Sequence, residues 1–234
     1  RPDLYIANYG SIDRLFRNLP GGFADVAPGL GLYSESRSQG AWFLDADDDG
    51  RLDLLVTPYG ADPGEAAADL FSRPIGGPTP RLLLYRGSAG YVDSTAAWGL
   101  DRVFMAWSGN AGDVDQDGRV DFYLGTGGLG FEALFPNVLL RSDGRRFEDV
   151  TTAAGVGHLQ KASGVAFGDL DGDGAPEILV RAGGCYPSDG FVNVVFRNPG
   201  HGRHWLAARL EGRRSNRAAI GARIEVHVVA AGGE

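Results

Sequence analysis

Three nine-residue runs set oxygen-bearing side chains at the same offsets: Asp45 to Asp53 (DADDDGRLD), Asp113 to Asp121 (DVDQDGRVD) and Asp169 to Glu177 (DLDGDGAPE). Each has carboxylates at positions 1, 3, 5 and 9 and Gly at position 6. Positions 1, 3 and 5 fall on one side of a tightly turned loop, and the glycine permits the reversal. The position 7 carbonyl then turns inward and position 9 closes the shell. Such an oxygen cage suits Ca²⁺, which takes about 6 to 8 ligands, better than Mg²⁺, which keeps several waters. No His or Cys lies near these runs to argue for zinc.

An EF-hand loop also begins D-x-D-x-D-G, but it needs a bidentate Glu at position 12 and flanking helices. Position 12 here is Val56, Leu124 or Val180. The residues after each glycine read instead as strands over 52–56, 120–124 and 178–180, rich in branched and aromatic side chains. The loops are therefore expected to join two strands. The alternative is three acidic Asx-turns with no metal. Close carboxylate pairs repel by roughly 4 kcal/mol at an effective dielectric near 20, so a loop of this kind is expected to loosen without a cation.

The formal charge is -8, and the twelve carboxylates at positions 1, 3, 5 and 9 of the loops more than account for it, leaving the rest of the chain near +4. There is no basic stripe of the kind that nucleic acid requires. Glycine supplies 37 of 234 residues, more than twice the usual ~7%, and without a collagen period that implies many turns and close backbone packing. No apolar run is long enough to span a membrane. The opening RPDLYIANYG matches RLDLLVTPYG from Arg51 and RVDFYLGTGG from Arg119. The chain is thus read as a piece or trimmed form that opens just after another such loop, with any export signal upstream. The single Cys185 excludes a disulfide within the segment. An extracellular, periplasmic or cell-surface location is inferred from the calcium loops.

Other landmarks travel with the loops, as expected of stacked supersecondary units. A small-residue strand precedes each one (40–44, 108–112, 164–168). An apolar run ending in Arg follows at 15–17, 82–86, 138–141 and 194–197. Next comes an aromatic residue followed by Asp: Phe23 and Asp25, Tyr91 and Asp93, Phe147 and Asp149. Four antiparallel strands per unit, with small residues on the innermost, read as β-propeller blades. The predicted fold class is all-β, a partial propeller of about three to four blades over 1–199, followed by the start of a small β-domain over 200–234. Trp42, Trp107 and Phe167 are expected to pack between blades, and the repeated arginines either tie neighbouring loops or lie solvated at strand ends. The longest insertion, Tyr59 to Pro80, contains a predicted short helix over 65–71 and leaves the face opposite the calcium loops. After Arg197, HWLAARL and ARIEVHVV alternate like strands.

The run VAFGDLDGDGAPEILV (Val165 to Val180) resembles an FG-GAP or VCBS repeat, the unit of calcium-binding propellers such as those of integrin α-subunits. The segment HWLAARLEGRRSNRAAIGARIEV is similar to the start of an ASPIC/UnbV domain. Together they resemble bacterial FG-GAP/ASPIC proteins and their animal relatives of the cartilage acidic protein type. The resemblance implies that Asp45, Asp47, Asp49 and Asp53, Asp113, Asp115, Asp117 and Asp121, and Asp169, Asp171, Asp173 and Glu177 bind three Ca²⁺ ions. Arg51, Arg119 and Ala175 would add carbonyls. Glu177 departs from the Asp usual at position 9. Propellers of this kind have about seven blades, so association with further blades or another copy is expected.

The implied function is a non-catalytic, calcium-stabilised scaffold for extracellular recognition or adhesion, with an unknown protein or glycan as partner. The clustered carboxylates are consumed by cation loops, and His201 and His204 read as a surface pair. No G-x-S-x-G elbow, phosphate loop or dinucleotide fingerprint occurs. One alternative is an extracellular carbohydrate lyase, dehydratase or hydrolase using Asp62, Glu65, Asp69, Glu132 or Asp189. Another is a glycan-binding module using Tyr59, Phe131 and Tyr186 as stacking platforms.

Overall fold

The chain is all-β in a computed structural model, which describes residues 1–32, 37–73, 76–128, 130, 133–183, 186–214, 217–219 and 222–227. Four antiparallel sheets follow one another along the sequence. The first is three-stranded: β1 (Leu4–Ile6), β2 (Arg14–Leu19) and β3 (Gly22–Asp25). The second is β4 (Ser38–Leu44), β5 (Asp53–Pro58), β6 (Arg81–Tyr85) and β7 (Tyr91–Asp93). The third repeats that meander as β8 (Ala106–Gly112), β9 (Asp121–Thr126), β10 (Val138–Ser142) and β11 (Phe147–Asp149). The fourth has β12 (Ala162–Gly168), β13 (Glu177–Ala182) and β14 (Val194–Phe196). Four strands per unit thus holds for the two middle sheets, and three strands form in the first and last.

Burial on both faces explains the sequence of the second strand in the two four-stranded sheets. β5 (DLLVTP) and β9 (DFYLGT) are buried at every position, and strands covered on both sides read as continuous apolar runs. Alternate residues serve opposite neighbours. Leu54 and Val56 join Leu15 and Leu83 between the first and second sheets. Leu55, Leu82 and Leu84 meet Phe122, Leu124 and Leu140 between the second and third. Tyr123 and Leu139 meet Ile178 and Val180 between the third and fourth.

The glycines of β8 are required for a steric reason. A β-carbon on Gly109 would lie 2.6 Å from the Phe122 ring, and one on Gly112 would lie 2.8 Å from Phe167. Trp42 packs edge-on against Phe122 at 4.9 Å, so Trp42 and Phe167 sit between sheets as expected. Half-buried Trp107 occupies the register shift between Ala106 and Ser108, and the same irregularity recurs at Ser38/Gly40 and Ala162/Gly164. The second connection is closed by a buried polar side chain: Asp13 Oδ1 accepts the Asn8 N–H at 2.7 Å, and Asn137 Oδ1 accepts that of Thr126 at 2.9 Å. Asp13 also accepts from Tyr5 and Ser38 hydroxyls, tying the first sheet to the second.

In the long insertion the helix forms as α1 (Pro63–Leu70), starting two residues before the expected 65–71, with Asp62 as its cap and Glu65 completing a capping box. The strands expected in the last segment do not form among the described residues. Trp205, Leu206, Leu210, Ile224 and Val226 are each 45% exposed or more, and alternation without a neighbouring strand leaves backbone groups unpaired. Val228 and Val229 of that pattern lie outside the described residues.

The recurrent outer Asp has a defined use. Asp93 Oδ1 accepts the Thr95 N–H at 3.0 Å and its hydroxyl at 2.6 Å, while Thr95 Oγ1 accepts the buried Leu82 N–H at 3.0 Å. Asp149, Thr151 and Leu139 repeat the arrangement. Thr95→Val keeps the volume but strands the Leu82 donor, so urea melts are expected to show a loss of about 1 to 3 kcal/mol. Thr151→Val should match it.

Candidate metal centres

The three acidic runs join β4 to β5, β8 to β9 and β12 to β13, so each hangs between a small-residue strand and a largely apolar one, fully buried in β5 and β9. Position 6 is left-handed, with φ of 78° at Gly50, 88° at Gly118 and 89° at Gly174. Position 4 is left-handed as well: Asp48 at 59°, Gln116 at 57° and Gly172 at 80°. This second reversal was missed in the sequence, where only Gly172 marks it. The two reversals fold the loop over the position 1 carboxylate. Asp45 accepts the N–H groups of Asp49 and Gly50, Asp113 those of Asp117 and Gly118, and Asp169 those of Gly172 and Gly174.

Position 9 holds the loop to the sheet. Asp53 is fully buried and accepts the Ala46 N–H at 3.0 Å with one oxygen and the Tyr85 N–H at 2.8 Å with the other. Asp121 does the same with Val114 and Ser142, each at 2.9 Å. Glu177 reaches Leu170 at 2.7 Å and Asn198 at 3.3 Å, so its extra methylene preserves the bridge. Each carboxylate thereby ties loop position 2 to the end of the third strand.

Positions 1, 3 and 9 converge. Ligand oxygens of Asp45, Asp47 and Asp53 lie within 4.8 Å of one another, and so do those of Asp113, Asp115 and Asp121 and of Asp169, Asp171 and Glu177. Position 5 lies outside these groups: Asp49, Asp117 and Asp173 accept the N–H of Arg51, Arg119 and Ala175 at position 7. The strongest sign of a missing cation partner is at position 3. Asp47 Oδ1 and Asp115 Oδ1 are buried with no hydrogen-bond partner, an arrangement that is costly for a carboxylate in isolation. The residues present therefore fit a divalent cation.

Arginines surround the same groups. Arg86 reaches Asp47 at 2.7 Å and Asp49 at 3.4 Å, Arg119 pairs with Asp117 at 3.0 Å and Arg197 with Asp171 at 3.1 Å. The segment after β14 also touches the loops. Asn198 Nδ2 donates to the Val114 and Pro176 carbonyls, Arg203 lies 3.9 Å from Asp115, and the Trp205 indole packs on Gly174. No periodicity in the sequence foretold these contacts.

The other candidate groups are engaged elsewhere. Asp62 and Glu65 cap α1, Asp69 pairs with Arg102 at 3.3 Å, and buried Asp189 lies 3.8 Å from buried Lys161. Tyr59 packs edge-on against Tyr9 at 5.2 Å, and Tyr186 is 44% exposed. His201 and His204 are exposed and belong to none of the metal-ligand groups among the described residues. Phe131, Glu132 and Cys185 lie outside the described residues. The protein-family models and the curated proteins contain no match to this chain.

Burial lifts the Asp53 carboxyl to about 6 and that of Asp121 to about 7, against an ordinary 3.8, despite the backbone N–H bonds that oppose the shift. A carboxyl whose folded value exceeds its unfolded one favours the folded state while protonated. Its stabilising effect is complete below the unfolded value and lost as pH rises through the folded one. With chelator present, urea melts are therefore expected to show these groups' contributions falling from about pH 4 to pH 7. Asp121→Asn should flatten the upper part of that fall.

Proposed function

We propose that this protein is a calcium-stabilised, non-catalytic recognition scaffold built from FG-GAP/VCBS-type propeller blades over 1–199, with an ASPIC/UnbV-like segment over 200–234. The observation that carries the reading is the repeated loop in which three carboxylates converge and a position 3 oxygen is buried without a partner in two of the three cases. A cation in the cluster would give that oxygen a partner, and a shell of carboxylate and carbonyl oxygens suits Ca²⁺. The capping and ion-pair roles of Asp62, Glu65, Asp69 and Asp189 support a non-catalytic reading.

Bound Ca²⁺ neutralises the clustered carboxylates and fixes the β4–β5, β8–β9 and β12–β13 connections. Asp45, Asp47 and Asp53 and their counterparts hold it, while Arg86 and Arg197 move toward solvent or remain as outer partners. A repeat fixed in this way presents the opposite loops, including α1, on a rigid base, where recognition loops commonly sit. If each loop has the roughly 10⁻⁴ to 10⁻³ M affinity of extracellular modules, about 1 mM free Ca²⁺ adds some 0.4 to 1.4 kcal/mol per site. Those affinities match an extracellular, periplasmic or cell-surface setting. A glycan or protein ligand fits the scaffold reading equally, and no nucleic-acid partner is proposed.

Equilibrium dialysis at millimolar Ca²⁺ should find three ions per chain, and chelation should lower the melting temperature. Asp115→Ala should reduce the count to two and shrink the chelator effect by about a third. Retention of three ions by this variant would remove the second loop from the set, and zero ions on the unmodified chain would overturn the reading.

A further inference from the structure

A cavity of about 590 Å³ lies between the second and third acidic loops, and the segment after β14 closes one side of it. That size falls within the range of small-molecule sites. Two aromatic rings stand in its wall. Phe167, packed on Gly112, is one, and Trp205 is the other. The Trp205 indole is backed so closely by Gly174 that a β-carbon there would lie 2.3 Å from it, yet the residue stays 52% exposed. The ring is thereby held from behind and still open to a ligand. Gln116, at loop position 4, lines the same cavity, and its Nε2 is buried without a hydrogen-bond partner. A buried amide left unpaired carries a cost that a bound acceptor removes. Asp113 and Asp169 offer acceptor oxygens, and His204 adds an imidazole. Neither lysine nor arginine lines the cavity among the described residues, so nothing in its wall draws in an anion.

We propose that this cavity is a binding site for a short neutral saccharide. A sugar ring presents an apolar C–H face and a rim of hydroxyls, and the wall holds a partner for each. The apolar face stacks on the Trp205 indole, whose ring is a large apolar surface. A hydroxyl oxygen accepts from the Gln116 amide, which turns about its last side-chain bond to meet it, and hydroxyl protons are donated to the loop carboxylates. A purely apolar ligand would leave the amide unpaired, and an acidic one would face two carboxylates. The proposal makes the recognition reading above specific and rests on it, and it places a ligand on the loop face as well as opposite it.

The full chain, in millimolar Ca²⁺, is offered to an array of neutral and acidic oligosaccharides, and the best neutral structure is then titrated. The expected result is saturable binding of neutral structures. Gln116→Met keeps the side-chain length but removes the donor, and should weaken binding roughly tenfold. Trp205→Ala should abolish it, and Trp205→Phe should retain part of it. The chain has four tryptophans, so the indole N–H signals of a nitrogen-labelled sample are few, and Trp205→Phe assigns the one at the site. That signal should shift as the saccharide is added. Binding of no neutral saccharide overturns the proposal, as does an affinity unchanged by either Gln116→Met or Trp205→Ala, or a shift confined to the other indoles. If no saccharide binds while dialysis finds three ions, the saccharide site falls and the calcium scaffold stands. If a neutral saccharide shifts the Trp205 signal but no Ca²⁺ is taken up, the calcium reading falls and the site stands.

Discussion

One carboxylate per complete unit is placed where water does not reach it, and the loop geometry follows from that placement. Asp53, Asp121 and Glu177 sit at the first residue of the second strand, all but removed from solvent. Each is kept there by N–H donors from both the loop and the third strand. Hydrogen bonds from two amides do not fully offset the loss of hydration, as the raised Asp53 and Asp121 carboxyls show. A neighbouring cation or a bound proton must supply the balance. A single position therefore couples the carboxylate cluster to the junction of the strands around it.

The surrounding sheets are built so that this position repeats. Strands buried on both faces bring position 9 to the same depth each time, and the glycines of β8 let the aromatic rings of β9 and β12 close over them. A larger residue at Gly109 or Gly112 would push the sheets apart and shift the loops they carry. At the outer edge, the Asp and Thr pairs of β7 and β11 satisfy a buried N–H of the third strand. Packing inside and hydrogen bonding outside thus act on the same third strand, whose end donates to the buried carboxylate.

The parts of the structure governed by short-range rules were legible in the sequence. Acidic spacing located the loops, apolar runs located the second and third strands, and small residues marked the innermost ones. Boundaries moved by one or two residues, because pairing with a neighbour extends a strand past its apolar stretch, as at Thr126 and Ala182. What escaped the sequence depends on contacts between distant segments. Trp205 on Gly174 and Asn198 on Val114 each join the segment after β14 to a loop distant in sequence. The tail failed for the related reason that alternation alone does not provide a strand with a partner.

The three centres are not equivalent, and the difference follows from exposure. In the first two, a fully buried aspartate stands beside a position 3 oxygen that lacks any partner. There, solvent screening is weaker than at the exposed carboxylates of the third cluster. In the third, Asp169 and Asp171 are exposed, so a cation there would gain less from the carboxylates through solvent screening, whereas arginines stand beside all three loops. The third loop is instead covered by the segment that follows β14, through the Trp205 indole and the Asn198 amide. An ion held at the first two centres would therefore act mainly on the sheets that flank them, and one held at the third on the docking of the chain's last described segment.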